Sequence, residues 1–312
     1  MALKGMGKPK DSHITLAYLT KAARDEKKAH HAGVKKHPVS SADKHSAVRH
    51  ATVKHAVHHE HKKQPERDYL KTRIDGFDDL FEHGIPTGSS VLVSGGAGSG
   101  KTLLSLHIIA NATKDGKKCL FMSFEESERR IREHMEDFGW DPHGMERNGH
   151  LKIQRLSIFD IRIALDALMA KSEGELLIDV KPVILPKDFK PDIVVVDSLT
   201  AIASAFAGKE SYRSYIEQLF RYFESLGITS FLVTETTQVP SIFSPTGVEE
   251  FLADGVIVLY NVRKGDIRES AIEVLKMRGT KHLKKVVAMR VVSGEGIKVY
   301  PDQEVFEGID VK

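Results

Sequence analysis

One stretch of the sequence has the residues and spacing of a phosphate-binding loop. It matches the pattern G-x-x-x-x-G-K-[ST] with Gly95, Gly96, Ala97, Gly98, Ser99, Gly100, Lys101 and Thr102. Glycines let the backbone wrap with its N–H groups facing the phosphates of a nucleotide, and the following helix start adds partial positive charge. Lys101 is expected to reach the β- and γ-phosphates and the Thr102 hydroxyl to bind Mg²⁺, with Leu103 beside them in the nucleotide site. The alternative is a glycine-rich turn that binds nothing.

A carboxylate at the end of another predicted strand suits the same metal ion. Residues 193–196 are apolar and β-branched, and Asp197 follows them directly. Because open α/β sheets bind ligands outside the carboxyl ends of their strands, Asp197 is expected beside the phosphates. Thr102 and Asp197 are therefore the predicted metal ligands. The alternative interpretation is an aspartate that only starts a loop.

Two adjacent acids, Glu125 and Glu126, follow the apolar residues 119–124. Hydrolysis of a phosphoanhydride needs a base that orients and deprotonates water. Neighbouring residues at a strand end point in different directions, so we predict Glu125 as the general base and Glu126 as its modulator. Lys101 completes the predicted catalytic set. On spacing alone, both acids could instead favour the first turn of the next helix through its dipole.

Strands alternating with helices are needed to position these groups. The hydrophobic pattern predicts strands over 89–94, 119–124, 151–156, 193–196 and 229–233, and helices over 102–115, 127–138, 160–171 and 212–226. Such alternation indicates an α/β fold with a parallel sheet covered by helices. Four further strands, over 256–262, 271–277, 286–292 and 297–300, predict an antiparallel extension of the same sheet. Residues 172–191 are interpreted as a surface insertion.

Composition divides the chain into two parts. The first 68 residues hold 15 Lys and Arg against 7 Asp and Glu, and 10 of the 16 histidines. They contain too few apolar residues to bury a core, so we predict a flexible, disordered basic tail over 1–68 and one domain over 69–312. The tail is either a solvated segment with no specific task or an electrostatic arm that contacts nucleic acid or another polyanion.

The remaining bulk properties exclude other classes of protein. The 312 residues are 41% hydrophobic and 29% charged, as in globular domains, and no apolar run is long enough to span a bilayer. The lone cysteine, Cys119, cannot form an internal disulfide or a thiolate metal site. These features predict a cytoplasmic protein without a membrane span.

Several motifs together resemble the KaiC family of RecA-superfamily ATPases, in the same order over about residues 70–306. They are IDGFDDL at 74–80, LVSG at 92–95, SFEE at 123–126, VDSLT at 196–200, GVEEF at 247–251 and KMRGTKH at 276–282. The resemblance implies a RecA-like P-loop NTPase fold that binds ATP and Mg²⁺. It also implies a homo-oligomeric ring, usually a hexamer, with ATP at the subunit interfaces and the adjacent glutamates as catalytic residues.

The resemblance also assigns residues that spacing alone does not. Lys276, Met277, Arg278 and His282 match the segment that reaches the nucleotide of the neighbouring subunit. Without the resemblance, Lys276 and Arg278 would be interpreted as the exposed face of a strand. The family includes a circadian clock protein with two such domains, one of which is an autokinase with neighbouring Ser and Thr acceptors. In this chain the corresponding residues 249–254 read EEFLAD, so autokinase activity is not expected.

These observations favour one function and leave two open. The leading hypothesis is a Mg²⁺-dependent ATPase that forms a ring and couples its nucleotide state to a partner or regulatory process. The second is a nucleotide-gated signalling scaffold with little turnover. The third is a recombinase-like DNA-binding ATPase whose tail contacts phosphates, although the acidic balance of residues 69–312 does not suit a filament that coats DNA.

Overall fold

The structure is a computed structural model that describes residues 67–159, 161, 185–206, 208–237, 240, 242–264, 266–303 and 305. The predicted tail up to residue 66 lies outside the described residues. So do the predicted helix over 160–171, apart from residue 161, and the predicted insertion up to residue 184.

The strands of the described chain are β1 (Tyr69–Leu70), β2 (Ile85–Pro86), β3 (Ser90–Gly95), β4 (Cys119–Ser123), β5 (Leu151–Arg155), β6 (Ile193–Asp197), β7 (Thr229–Glu235), β8 (Gly255–Lys264), β9 (Ile267–Met277), β10 (Val287–Val292) and β11 (Gly296–Tyr300). The helices are α1 (Lys101–Lys114), α2 (Glu128–Asp137), α3 (Pro142–Arg147), α4 (Leu199–Ala203), α5 (Lys209–Ser225) and α6 (Glu249–Leu252). A 3-10 turn covers Asp78–Leu80.

Nine of these strands form one sheet in the order β11-β10-β9-β8-β3-β7-β6-β4-β5. The strands from β8 through β3 to β5 are parallel to their neighbours. The ladders β8–β9, β9–β10 and β10–β11 are antiparallel. The predicted parallel sheet with an antiparallel extension is therefore confirmed, and β3 lies in its interior, with the ends of β6, β7 and β4 at the same edge as its own end.

Each face of the sheet is covered by its own hydrophobic core. One core contains apolar residues of α1 and the alternate side chains of the central strands, such as Val91 and Val93. The other contains α5 and the opposite side chains, such as Leu92. β3 is buried along its whole length, as expected for a parallel strand covered on both faces. The phosphate loop thus starts from a rigid strand.

The long helices agree with the predicted periodicity, whereas the short ones were missed. In α5, Tyr212, Tyr215, Ile216, Leu219 and Phe223 are buried at helical spacing. The helices α3, α4 and α6 have six, five and four residues. Helices of this length show no full hydrophobic repeat and depend on tertiary contacts, so sequence periodicity could not reveal them. Among the described residues, no helix combines the length and apolar character that crossing a bilayer requires.

Candidate nucleotide-binding site

The predicted phosphate loop connects β3 to α1. Gly98 and Gly100 have φ angles of 72° and 96°, in the left-handed region that favours glycine. The Leu104 N–H donates to the Gly100 carbonyl over 2.8 Å and closes the first turn of α1. A side chain at Gly95 would place its Cβ 2.5 Å from the Leu259 carbonyl oxygen. The backbone path of the loop therefore favours glycine at positions 95, 98 and 100, and the loop places a helix N-terminus at the sheet edge.

Lys101 lies almost buried in this loop, with 8% of its side chain exposed. Its ammonium group donates to the Gly96 carbonyl over 3.1 Å and lies 3.9 Å from Oε1 of Glu235. Burial lowers the pKa of Lys101 below the ordinary lysine value, although three carboxylates, with Glu235 contributing most, act to raise it. The lysine is thus held close to the phosphate loop among acids, where an incoming phosphate would supply a further negative charge.

Thr102 and Asp197 are brought into direct contact, as the predicted metal site requires. The Thr102 hydroxyl donates to Oδ2 of Asp197 over 2.7 Å. Burial raises the pKa of Asp197 to about 6, and the hydrogen bond from Thr102 acts in the opposite direction. A hydroxyl and a carboxylate oxygen are hard donors of the kind Mg²⁺ prefers, and a nucleotide's phosphates and waters normally complete its shell. The two residues therefore fit a Mg²⁺ ion.

The adjacent glutamates point to different partners. Oε1 of Glu125 accepts a hydrogen bond of 2.5 Å from the Ser198 hydroxyl. Oε2 of Glu126 lies 3.6 Å from Nδ1 of His134 and 3.8 Å from Nε of Arg130, both on α2. Glu125 is therefore tied to the residue after Asp197, whereas Glu126 is tied to the neighbouring helix. This division fits a base at Glu125 and a supporting role for Glu126.

A cavity of about 370 Å³ joins most of the predicted residues. The predicted site residues that line this cavity are Ala97, Gly98, Gly100, Lys101, Thr102, Leu103, Glu125, Glu126 and Asp197. Gly95, Gly96 and Ser99 form the loop but are not among the lining residues. A larger cleft of about 720 Å³, between β9 and β10, is lined by Arg268 and Arg290 and contains none of the predicted site residues.

Sequence reasoning missed five lining residues: Leu106, Ser198, Glu235, His134 and Phe138. Glu235 ends the apolar strand β7 as Asp197 ends β6, so the same signal was present in the sequence. Ser198 follows Asp197 within the VDSLT motif, but the sequence does not indicate that its side chain reaches the cavity. His134 and Phe138 carry no local signal, because they reach the cavity from α2 and its C-terminal end.

The residues assigned by resemblance to a neighbouring subunit's site are not among the residues that line this cavity. Lys276 donates to backbone carbonyls of α6 and the residue after it, and the half-exposed Arg278 pairs with Asp254 at 3.3 Å. Burial, followed by the Arg278 charge, lowers the pKa of Lys276. Met277 is buried against Gly255. His282 is partly buried, and its Nδ1 lies 3.3 Å from the Leu283 carbonyl.

Most of the chain is similar to known proteins of one family. Residues 70–304 match the family model described as "ATPase: KaiC". Circadian clock protein KaiC3 of Synechocystis is 31% identical over 239 residues, which cover 74% of this chain and 45% of that protein. The circadian clock oscillator protein KaiC of Rippkaea orientalis is 33% identical over 235 residues, 74% of this chain and 44% of that protein. The chain thus spans less than half the length of these relatives.

One solved structure matches this chain over the whole length of the solved protein. The KaiC-like protein from the hyperthermophilic archaeon Pyrococcus horikoshii superimposes with a TM-score of 0.62 and is 30% identical. The match covers 76% of this chain and 100% of the archaeal chain. The mostly parallel sheet with its antiparallel extension is therefore the architecture of a RecA-like domain.

Proposed function

Because the chain belongs to the KaiC family of ATPases, we propose that it binds ATP with Mg²⁺ and hydrolyses it in a homo-oligomeric ring, with the nucleotide at the subunit interfaces. A hexamer is the ring size we propose. The nucleotide state of the ring is coupled to a partner or regulatory process, in the cytoplasm. Autokinase activity is not part of this proposal.

The observation that carries the proposal is the contact between Thr102 and Asp197 beside the phosphate loop. These residues are 95 positions apart in the chain, yet the hydroxyl and the carboxylate are 2.7 Å apart. The ends of β3, β6 and β4 bring Lys101 and Glu125 to the same cavity. A phosphate-binding lysine, a metal-binding pair and a candidate base therefore meet at one sheet edge, which supports phosphoryl chemistry more than binding alone.

In the proposed reaction the chain's own residues do three things. The loop N–H groups, the start of α1 and Lys101 hold the β- and γ-phosphates. Glu125 accepts a proton from the attacking water, and Ser198 keeps its carboxylate in one orientation. Thr102 and Asp197 hold Mg²⁺, which when bound neutralises charge on the phosphate oxygens.

The neighbouring subunit supplies the remaining positive charge in this proposal. Lys276, near the end of β9, and Arg278, just after that strand, are partly exposed and lie outside the cavity of their own chain. A cation delivered across an interface to the transferring phosphoryl group is worth about 10³ to 10⁵ in rate. Turnover then depends on assembly.

We also propose that residues 1–68 are a tail separate from the ATPase domain over 69–312. Its basic composition supports contact with nucleic acid or another polyanion. Removal of the tail should leave turnover unchanged and abolish any salt-dependent binding to single-stranded DNA.

Light scattering with and without ATP and Mg²⁺, followed by ATPase measurement on the same sample, tests the proposal. We expect nucleotide-dependent assembly and Mg²⁺-dependent turnover. A chain that stays monomeric with bound ATP would contradict the ring, and assembly without turnover would favour a nucleotide-gated scaffold.

Mixing two variants tests the cation supplied in trans. Lys101→Ala should weaken ATP binding and impair its own phosphate loop while leaving Arg278 in place. Arg278→Ala should leave the phosphate loop intact while removing the cation. Each variant alone is expected to be inactive, whereas mixed rings should regain turnover, because an intact phosphate loop then meets an intact Arg278. Absence of any recovery in assembled mixed rings would contradict the arrangement.

A further inference from the structure

The two cations assigned to the neighbouring site are both held by the end of α6. Nζ of Lys276 donates to the carbonyls of Glu250, Phe251 and Ala253 over 3.1, 3.3 and 2.6 Å. The Arg278 guanidinium donates to the carbonyl of Phe251 over 3.1 Å. The last carbonyls of a helix have no partner within the helix, so a four-residue helix leaves its carbonyls available to these cations. The position of α6 therefore sets the position of both cations.

Glu250 connects α6 to the segment that follows β7. Its side-chain Oε2 accepts a hydrogen bond of 2.7 Å from the Phe243 N–H, and its backbone carbonyl accepts one from Lys276. Phe243 is held on its other side, since the Ser94 hydroxyl donates to its carbonyl over 2.6 Å. Ser94 is fully buried in β3, immediately before the first glycine of the phosphate loop. A chain of contacts thus runs from the root of the loop to Lys276.

We propose that Glu250 is a positioning residue for Lys276 and Arg278, acting through the link Ser94–Phe243–Glu250 that anchors α6 to the strand beneath the phosphate loop. The inference rests on the proposed function, because the cations act on the nucleotide of the next subunit. Glu250 does not touch that nucleotide. Its effect on turnover therefore appears in the neighbour's site and not in its own.

The mechanism follows from the size of α6. A helix of four residues is not stable by itself, so its orientation depends on the contacts at its two ends. Loss of the Phe243 contact frees α6 from β3 and lets the attached cations move. Misplacement of a catalytic group by about 1 Å can cost about 100-fold in rate.

The mixed rings described above separate the two sides of the interface. In them, Arg278→Ala subunits contribute the working phosphate loop and Lys101→Ala subunits donate the cations. Glu250→Ala is added to the donor in one sample and to the acceptor in another. We expect the donor-side change to reduce the recovered kcat about 10- to 100-fold and the acceptor-side change to alter it less than about twofold.

Glu250→Gln in the donor keeps an oxygen that accepts from the Phe243 N–H, and it should restore most of the recovered turnover. The matched control is Glu224→Ala in the donor, which removes an exposed carboxylate near the C-terminal end of α5. This control should leave the recovered turnover unchanged. Thermal unfolding of each donor shows whether the domain remains folded.

Each outcome decides the inference. Equal losses from the donor-side and acceptor-side changes, or a glutamine variant as damaging as the alanine variant, would overturn it. If the Glu250→Ala donor does not fold, a Ser94→Ala donor breaks the same link at its other end and must also reduce recovery; normal recovery would overturn the inference. If mixed rings with Glu250 unchanged regain no turnover, the proposal of a cation supplied in trans is refuted. The inference on Glu250 is then refuted as well, because it rests on that proposal.

Discussion

The Ser198 hydroxyl donates a hydrogen bond of 2.5 Å to Oε1 of Glu125, joining the residue after Asp197, the proposed metal ligand, to the proposed base. The same hydroxyl oxygen accepts the Ala201 N–H over 3.3 Å as the N-cap of α4. The start of α4 therefore orients the Ser198 hydroxyl, and this hydroxyl in turn orients the Glu125 carboxylate. The end of β6 thus connects the proposed metal ligand to the proposed base.

Replacing Ser198 by alanine should slow turnover without weakening ATP binding. The Glu125 carboxylate loses the donor that holds it, so we expect kcat to fall about 10-fold while KM for ATP changes little. Loss of the N-cap should also cost about 1 kcal/mol of folding stability. Steady-state kinetics and thermal unfolding measure the two effects. Ser204→Ala, which removes an exposed hydroxyl bound to the Ala201 carbonyl, is the control and should leave kcat unchanged.

The two glutamates should differ when each is changed to glutamine. Glu125→Gln removes the proposed base, so we expect turnover to fall by about 10² to 10⁴ with ATP still bound. Glu126→Gln removes a charge that faces His134 and Arg130, and its effect should be smaller. Single-turnover kinetics and equilibrium binding of ATP measure both. A Glu125→Gln chain with normal turnover would refute the assignment of the base.

Gly98 and Gly149 form a matched pair for testing the phosphate loop. Both have φ of 72°, and neither has an atom within 3.4 Å of a built Cβ. Alanine at either position should cost about 1 kcal/mol of stability from left-handed backbone strain. Only Gly98→Ala should weaken ATP binding, because only Gly98 lines the cavity. Isothermal titration and chemical unfolding distinguish the effects; equal ATP affinity in the two variants would contradict the site.

Acid should destabilise the domain through His107. Its Nδ1 accepts the Ile297 N–H over 3.2 Å, and its ring stacks on Trp140. Burial, with a smaller contribution from the Lys114 charge, lowers the pKa of His107 from 6.5 to about 4. His107 in the unfolded chain is therefore protonated as the pH falls below about 6.5, whereas in the folded chain it is protonated only near pH 4. Because the unfolded chain binds more protons between these pH values, the free energy of unfolding decreases as the pH falls from about 6.5 to about 4.

The size of the His107 effect follows from the same linkage. Between about pH 7.5 and about pH 5, we expect the free energy of unfolding to fall by about 2 kcal/mol on account of this residue. Urea unfolding of the wild type and of His107→Gln at both pH values isolates the contribution, because other groups titrate equally in both chains. Parallel pH dependence of the two chains would show that His107 is not responsible.

Local features of the site could be predicted where the chemistry depends on adjacent residues. The loop from Gly95 to Thr102 could be predicted because its glycines and lysine lie within eight consecutive residues. Asp197 could be predicted because it follows a buried strand directly, and the residue after such a strand lies at the carboxyl edge of a parallel sheet. The structure places Thr102 and Asp197 in contact there.

Other features depend on strand neighbours, which periodicity does not reveal. Glu235 approaches Lys101 because β7 pairs with β3, with Glu235 opposite Gly95. The helix α6 is too short to leave a pattern, so the anchoring of Lys276 on its carbonyls was invisible in the sequence.

The sequence by itself therefore determined the type of chemistry that we propose: a phosphate loop, an aspartate suited to bind a metal ion and a pair of acids. Each of these is encoded by a few neighbouring residues. Tertiary structure alone decided which of these groups meet, that Ser198 holds Glu125, and that Lys276 and Arg278 rest on α6 outside their own cavity. The physical reason is that local motifs are set by backbone conformation, whereas contacts between distant residues are set by the order in which strands pair.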